Sequence, residues 1–379
     1  MVAIGPRLGR AGGRLMGAAI LSVATSVPEH RVDAADALRN LREFFPQLDR
    51  LDGADAALGT RYLCEPLDQV LRPRGLSELR RSYLMHASRL AQSAALRALE
   101  GAGVAGDEID LVITVSCTGY LVPSLDVHLA EALGLRPDVI RVPITELGCS
   151  GGAAAIAAAR RHLVGFPDDR VLVVAVEVPS LSFHPADQSV DNLTASLVFG
   201  DGAGAAVLSR PDPKRSRLEV VRTASHLIPG TAGILGFDLR DSGFHVVLDR
   251  RLPRVLATNV RPVVDRFIGD GEVPAPAFYA MHAAGPRIFS VLESALSLGR
   301  GALDVSRGVF ARVGNTSSAA IFFALEEVIA SRGEDSSHGI GIGVGPGVTL
   351  ELMHLAWVPR STPRPSRSSA PHARASERS

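Results

Sequence analysis

A pair of glycines 166 residues apart constrains this chain more than any other feature. Gly148 opens the run Gly148-Cys149-Ser150-Gly151-Gly152-Ala153-Ala154-Ala155, and Gly314 opens Gly314-Asn315-Thr316-Ser317-Ser318-Ala319-Ala320-Ile321, the same small-residue pattern. The same spacing carries Gly119, which closes the strand-like run 109–118, onto Gly285, which closes 278–284. It also carries 171–176 onto 337–342. One spacing that matches three segments in order marks an internal duplication. The chain is therefore expected to fold as two similar halves, with Cys149 and Asn315 at equivalent strand-to-helix corners. His282 ends the strand equivalent to the one that leads into Ser116-Cys117-Thr118.

Within each half, strand and helix signals alternate. Residues 18–27, 109–115, 139–144 and 171–178 read as strands, while 83–101, 124–133 and the Ala-rich run 153–161 read as helices. The second half offers a strand at 218–225, a variable segment at 228–244 and a helix at 254–267, followed by the histidine strand and the asparagine corner. Such alternation predicts an α/β layered fold. The expected organisation is a flexible extension at 1–17, a first half at 18–211 holding the cysteine, a second half at 212–358 holding the histidine and asparagine, and a disordered Ser, Pro and Arg-rich tail at 359–379. Pro211-Asp212-Pro213-Lys214 is the polar link between the halves. Gly341-Ile342-Gly343-Val344-Gly345-Pro346-Gly347 has the glycine spacing of a dinucleotide loop, but strand-like residues follow it instead of a helix, so no dinucleotide site is expected.

Composition narrows the function classes. The chain has 379 residues, 46% hydrophobic and 21% charged, values of a globular protein with room for two sizeable cores. Forty basic residues balance forty acidic ones, which leaves no electrostatic case for nucleic acid or an anionic membrane. Lys214 is the only lysine, so any phosphate-bearing ligand must be held mainly by arginine. No apolar run is long enough to span a bilayer. The three cysteines, Cys64, Cys117 and Cys149, lack metal-ligand spacing and cannot all pair, which suggests a reducing, cytoplasmic setting with no metal and no cofactor.

The corners carry the chemistry. A thiol in the first turn of a helix sits where unpaired N–H groups and the helix dipole favour thiolate, the form that attacks a thioester. The plainer alternative for Cys149 is an inert buried cysteine, for His282 a core histidine, and for Asn315 a helix N-cap. Their placement at related positions of a duplicated unit argues against three coincidences. Cys149, His282 and Asn315 together read as nucleophile, base and hydrogen-bond donor, able to stabilise an oxyanion or enolate. No acidic residue lies within these corners, which suits a carbanion made by losing carbon dioxide.

With Gly148-Cys149, Phe199-Gly200-Asp201-Gly202, His282-Ala283-Ala284-Gly285-Pro286, Gly314-Asn315-Thr316-Ser317-Ser318 and Gly343-Val344-Gly345-Pro346-Gly347 in this order, residues 18–358 resemble the type III polyketide synthases, the chalcone and stilbene synthase family. The resemblance implies a thiolase-like fold of duplicated αβαβα layers and a homodimer. It implies that an acyl-CoA starter and malonyl-CoA are condensed through a thioester on Cys149, then cyclised to a pyrone or a phenolic ring. His282 and Asn315 would promote decarboxylation. Phe199 would separate the CoA tunnel from the elongation cavity, which Cys117, Thr118, Ser182 and Ser317 would line. Val246 stands where plant members carry a second gatekeeper phenylalanine, and Val122 where the family sends a side chain into the partner's cavity. Arg50 and Arg287 would meet the CoA phosphates. The related alternative is a 3-oxoacyl carrier-protein synthase of fatty-acid initiation; a cysteine hydrolase and a non-catalytic thiolase-fold partner are the others.

Overall fold

The computed structural model describes residues 17–46, 48, 59–212, 218–269, 273–282, 284–331 and 337–357. The expectations for the extension 1–16, the tail 358–379, Arg50, Ala283 and the Pro213-Lys214 part of the link lie outside them. In chain order the strands are β1 (Ala18–Ser26), β2 (His30–Val32), β3 (Arg61–Leu63), β4 (Leu111–Val115), β5 (Ile140–Ile144), β6 (Val171–Glu177), β7 (Gly202–Ser209), β8 (Leu218–Leu227), β9 (Leu235–Arg240), β10 (Gly243–Leu248), β11 (Phe278–Met281), β12 (Ser337–Gly345) and β13 (Thr349–Trp357).

Nine of them share one strand order, β11-β12-β13-β8-β1-β7-β6-β4-β5. Read outward from the centre, β1-β7-β6-β4 on one side matches β8-β13-β12-β11 on the other. In each set the outer two strands run parallel and the rest antiparallel. The two sets meet only where β1 pairs with β8 through three residues, Ala18, Ala19 and Ile20. The β5 edge strand belongs to the first set alone.

Burial on both faces explains why β6 is apolar up to its last residue, Glu177. On β6, Val171, Val173 and Ala175 pack into the core that contains the helices Gly151–Gly165 and Ala320–Ser331. Leu172, Val174 and Val176 pack under the helix Leu76–Ala102 on the opposite face. A strand covered by helices on both faces reads as a nearly continuous apolar run. The fold is the thiolase-like arrangement of helical and sheet layers that the sequence predicts.

The glycine run 339–345 is a strand, and its glycines serve packing. An added Cβ at Gly345 would collide with Ser150, and one at Gly343 would sit 3.1 Å from Ala153 Cβ. β12 therefore lies directly against the turn that carries Cys149. Gly148 and Gly314, the pair that set the repeat, both take left-handed backbone, with φ of 50° and 78°.

Several boundaries differ from expectation. The long helix begins at Leu76, and the 124–133 helix shrinks to Leu125–Ala130. The segment expected to be variable contains β9 and part of β10, which pair only with each other and form a separate hairpin.

Candidate active site

Cys149 lies in a single turn, Gly148–Ser150, that runs straight into the helix Gly151–Gly165. Asn315 lies just before the equivalent turn Ser317–Ala319. A short parallel bridge pairs Asn315 with Phe199. It is closed by Asn315 N–H to the Val198 carbonyl at 2.8 Å and Gly200 N–H to the Asn315 carbonyl at 3.1 Å. The bridge fixes the carboxamide from the second half beside the Phe199 wall of the first.

Hydrogen bonds set the direction of each group. The Cys149 thiol donates to Ser317 Oγ at 3.4 Å, and Cys117 Sγ lies 3.6 Å from the same oxygen. Ser317 N–H donates to Asn315 Oδ1 at 2.9 Å. With its oxygen occupied, the Asn315 carboxamide has its NH2 end left to donate, and its nearness lowers the pKa of the Cys149 thiol. Val344 N–H donates to His282 Nδ1 at 3.2 Å. The proton of the neutral ring therefore sits on Nε2. His282 thus has Nε2–H available as a donor, the part the sequence gives it alongside Asn315 at an oxyanion. The strand that holds it, β12, is the one pressed against the Cys149 turn.

Burial works against the thiolate that the helix start favours. Burial pushes the Cys149 thiol up to about 11; hydrogen bonds from Ser317 and Asn315 pull it down, while the nearby Glu177 carboxylate raises it further. Burial takes His282 down to about 4. Burial thus favours the neutral form of both groups.

Glu177 is the residue that sequence reading missed. It is fully buried and accepts from Ser116 Oγ, the N–H of Cys117 and of Thr118, Thr118 Oγ1 and Ser318 Oγ. The corners contain no acid in sequence, yet a carboxylate from the end of β6 ties the Cys117 loop to the Asn315 loop. Burial raises its pKa against these donors. Its signal was an acid ending an otherwise wholly apolar strand, a costly placement without partners.

Two cavities share a wall at Pro179, Phe199, Phe237 and Val246. The smaller, about 380 Å³, is lined by Cys149, Cys117, Thr118 and Ser317. The larger, about 740 Å³, reaches past Ser182 toward Leu41, Leu63 and Val70 and touches none of the three corner residues. His282 and Asn315 are buried and do not line the smaller one, although Ser317, which holds the Asn315 oxygen, does. Phe237, absent from the sequence reading, faces both. Val122 lies elsewhere, 80% exposed. Arg287 is exposed in the first turn of the helix Pro286–Leu296. Among the described residues no group of His, Cys, Asp and Glu side chains has the geometry to hold a metal ion.

Comparison with known proteins matches the family model of chalcone and stilbene synthases, N-terminal domain, at residues 75–213, and its C-terminal domain at 219–359. A 1,3,6,8-tetrahydroxynaphthalene synthase from Streptomyces peucetius subsp. caesius is 36% identical over 90% of this chain and 93% of its own length. A phloroglucinol synthase from Pseudomonas fluorescens is 30% identical over 87% of this chain and 96% of its own. The crystal structure of 1,3,6,8-tetrahydroxynaphthalene synthase from Streptomyces coelicolor A3(2) superposes with a TM-score of 0.85 at 31% identity, covering 89% of this chain and 99% of that one.

Proposed function

The chain belongs to the chalcone and stilbene synthase family of type III polyketide synthases, an acyl-transferring class of condensing enzyme, and from that premise we propose that it condenses an acyl-CoA starter with malonyl-CoA on Cys149 and releases a pyrone or phenolic product. The observation that supports this reading is that Ser317 links the Cys149 sulfur, 3.4 Å from its Oγ, to the Asn315 carboxamide, while Val344 N–H fixes the His282 ring. His282 has Nδ1 occupied and Nε2–H left to donate, and Asn315 has its oxygen occupied and its NH2 left to donate. Both suit an oxygen that gains negative charge.

In the loading step the sulfur of Cys149 attacks the starter thioester, the carbonyl–sulfur bond to CoA breaks, and the thiol proton leaves with CoA. Malonyl-CoA then loses carbon dioxide, and its electron pair becomes an enolate whose oxygen accepts from His282 and Asn315. The enolate carbon attacks the Cys149 thioester and expels the thiolate, which is ready for the next transfer. No base is required, which fits a ring held as a donor.

A homodimer fits the surface. Tyr120 and Val122 are 65% and 80% exposed, and Ile140 on the β5 edge is 51% exposed. An exposed apolar edge strand is a pairing surface. Val122 follows closely on Thr118, a lining residue, so a partner's copy would arrive beside the chamber. No helix among the described residues is long and apolar enough to cross a membrane, and all three cysteines are free thiols, which supports a reducing, cytoplasmic setting.

The test is carbon dioxide release and product mass with a panel of starter thioesters and malonyl-CoA. Cys149→Ala should lose product and the covalent acyl adduct while still decarboxylating malonyl-CoA. His282→Ala and Asn315→Ala should lose decarboxylation by about 100-fold or more. A wild-type protein that releases no carbon dioxide from malonyl-CoA, or does so only from a carrier-protein thioester, would refute the proposal.

A further inference from the structure

The β9–β10 hairpin forms the chamber wall opposite Cys149, yet it belongs to neither strand set. Phe237 and Val246 are directly paired across it and face both cavities. An isolated two-stranded hairpin has little stability of its own, so its position depends on anchors. Its base is closed by Asp249 N–H to the Ile234 carbonyl at 2.9 Å. Its tip is held by a cluster of side chains that the reaction does not use.

The rings of His184 and His245 stack at 3.8 Å with 1° between their planes. His184 Nε2 donates to the Phe244 carbonyl at 2.9 Å. His245 is buried, with Nδ1 donating to Asp187 Oδ2 at 3.0 Å and Nε2 2.7 Å from Ser242 Oγ; Arg240 lies 3.3 Å from the same Nδ1. The loop beneath is itself rigid: the Asn192 carboxamide donates to the carbonyls of His184 and Asp187, each at 2.8 Å. Leu248 N–H adds a bond to Asp191 Oδ2 at 3.0 Å. Asp187, Asp191 and His184 come from the first half, and the hairpin from the second. His245 adjoins Val246 in sequence, so a shift of its ring moves the wall.

We infer that His245, clasped between His184 and Asp187, is a positioning residue for the condensation, and that it sets how far Phe237 and Val246 reach into the chamber and so how long an acyl starter the site accepts. Losing the clasp lets the hairpin tip swing outward and joins the smaller cavity to the larger. The inference rests on the reading of the Cys149 chamber as the condensing site. Decarboxylation of malonyl-CoA does not need the wall and serves as the internal control.

The experiment compares kcat/KM for a long-chain and a short-chain acyl-CoA starter, with malonyl-CoA decarboxylation measured in parallel, in the wild type, His245→Leu and His245→Asn. His245→Leu keeps bulk but loses both hydrogen bonds, and should shift the ratio toward the long chain by roughly 10-fold. His245→Asn keeps a donor for Asp187 and should restore most of the wild-type ratio. If His245→Leu does not fold, Ser242→Ala, which removes only the Nε2 partner, should move the ratio in the same direction. An unmoved ratio beside normal carbon dioxide release overturns the clasp alone, as does a parallel fall in condensation and decarboxylation. A wild type that releases no carbon dioxide overturns the condensing site and the clasp with it.

Discussion

At the residue scale, the site is built from groups kept neutral by burial, and pH should expose this. Alkylation of Cys149 by iodoacetamide should rise steadily from neutrality toward the thiol's value of about 11, with no plateau near pH 6. Glu177→Gln removes a charge that raises the thiol and should move the profile to lower pH. His282 gives the opposite signature in stability. Its folded value of about 4 lies below its ordinary 6.5, so the unfolded chain takes up the proton first as pH falls. Stability is lost from pH 6.5 downward, by about 3 kcal/mol once both states are protonated. Asp201, raised by burial to about 6, works the other way, losing stability as pH rises through that value. The contribution of His282 is therefore read as the difference between denaturation curves of the wild type and His282→Asn. Cys149, His282 and Asn315 were legible in sequence because the duplication marked their positions. Their protonation and direction were not, since these depend on Val344 N–H, Ser317 N–H and Glu177, which arrive from distant segments.

At the scale of elements, what sequence conveys best is what repeats or alternates. The strand at 171–178 and the Ala-rich helix were legible because each has a period of its own. The β9–β10 hairpin was not, because 228–244 carries only weak alternation, and its place is fixed by partners in the first half. Gly152 shows how packing between elements overrides local preference. It lies in the helix Gly151–Gly165, where alanine is ordinarily about 1 kcal/mol better than glycine. A Cβ there would run into the Ser318 carbonyl and against Ile321 and Phe322 of the neighbouring segment. Gly152→Ala should therefore destabilise, by about 1–3 kcal/mol in chemical denaturation. A gain in stability would mean that the two corner segments are not in contact.

At the scale of the whole molecule, the two strand sets share only a narrow seam at β1 and β8, while the helices Gly151–Gly165 and Ala320–Ser331 share one core. Exposed apolar side chains lie along the β5 edge, where Ile140 and Val142 are 51% and 39% exposed. Val142→Lys, placed at that edge, should shift the protein from dimer toward monomer in sedimentation velocity without lowering its melting temperature by more than a few degrees; an unchanged mass would place the pairing surface elsewhere. The Phe199–Asn315 bridge has one more consequence. As the polypeptide leaves the ribosome, the thiol emerges long before the carboxamide that flanks it. A nascent chain released early, or clipped between the two, carries the sulfur without that carboxamide. Synthesis must therefore pass Asn315 before the Phe199 wall can close.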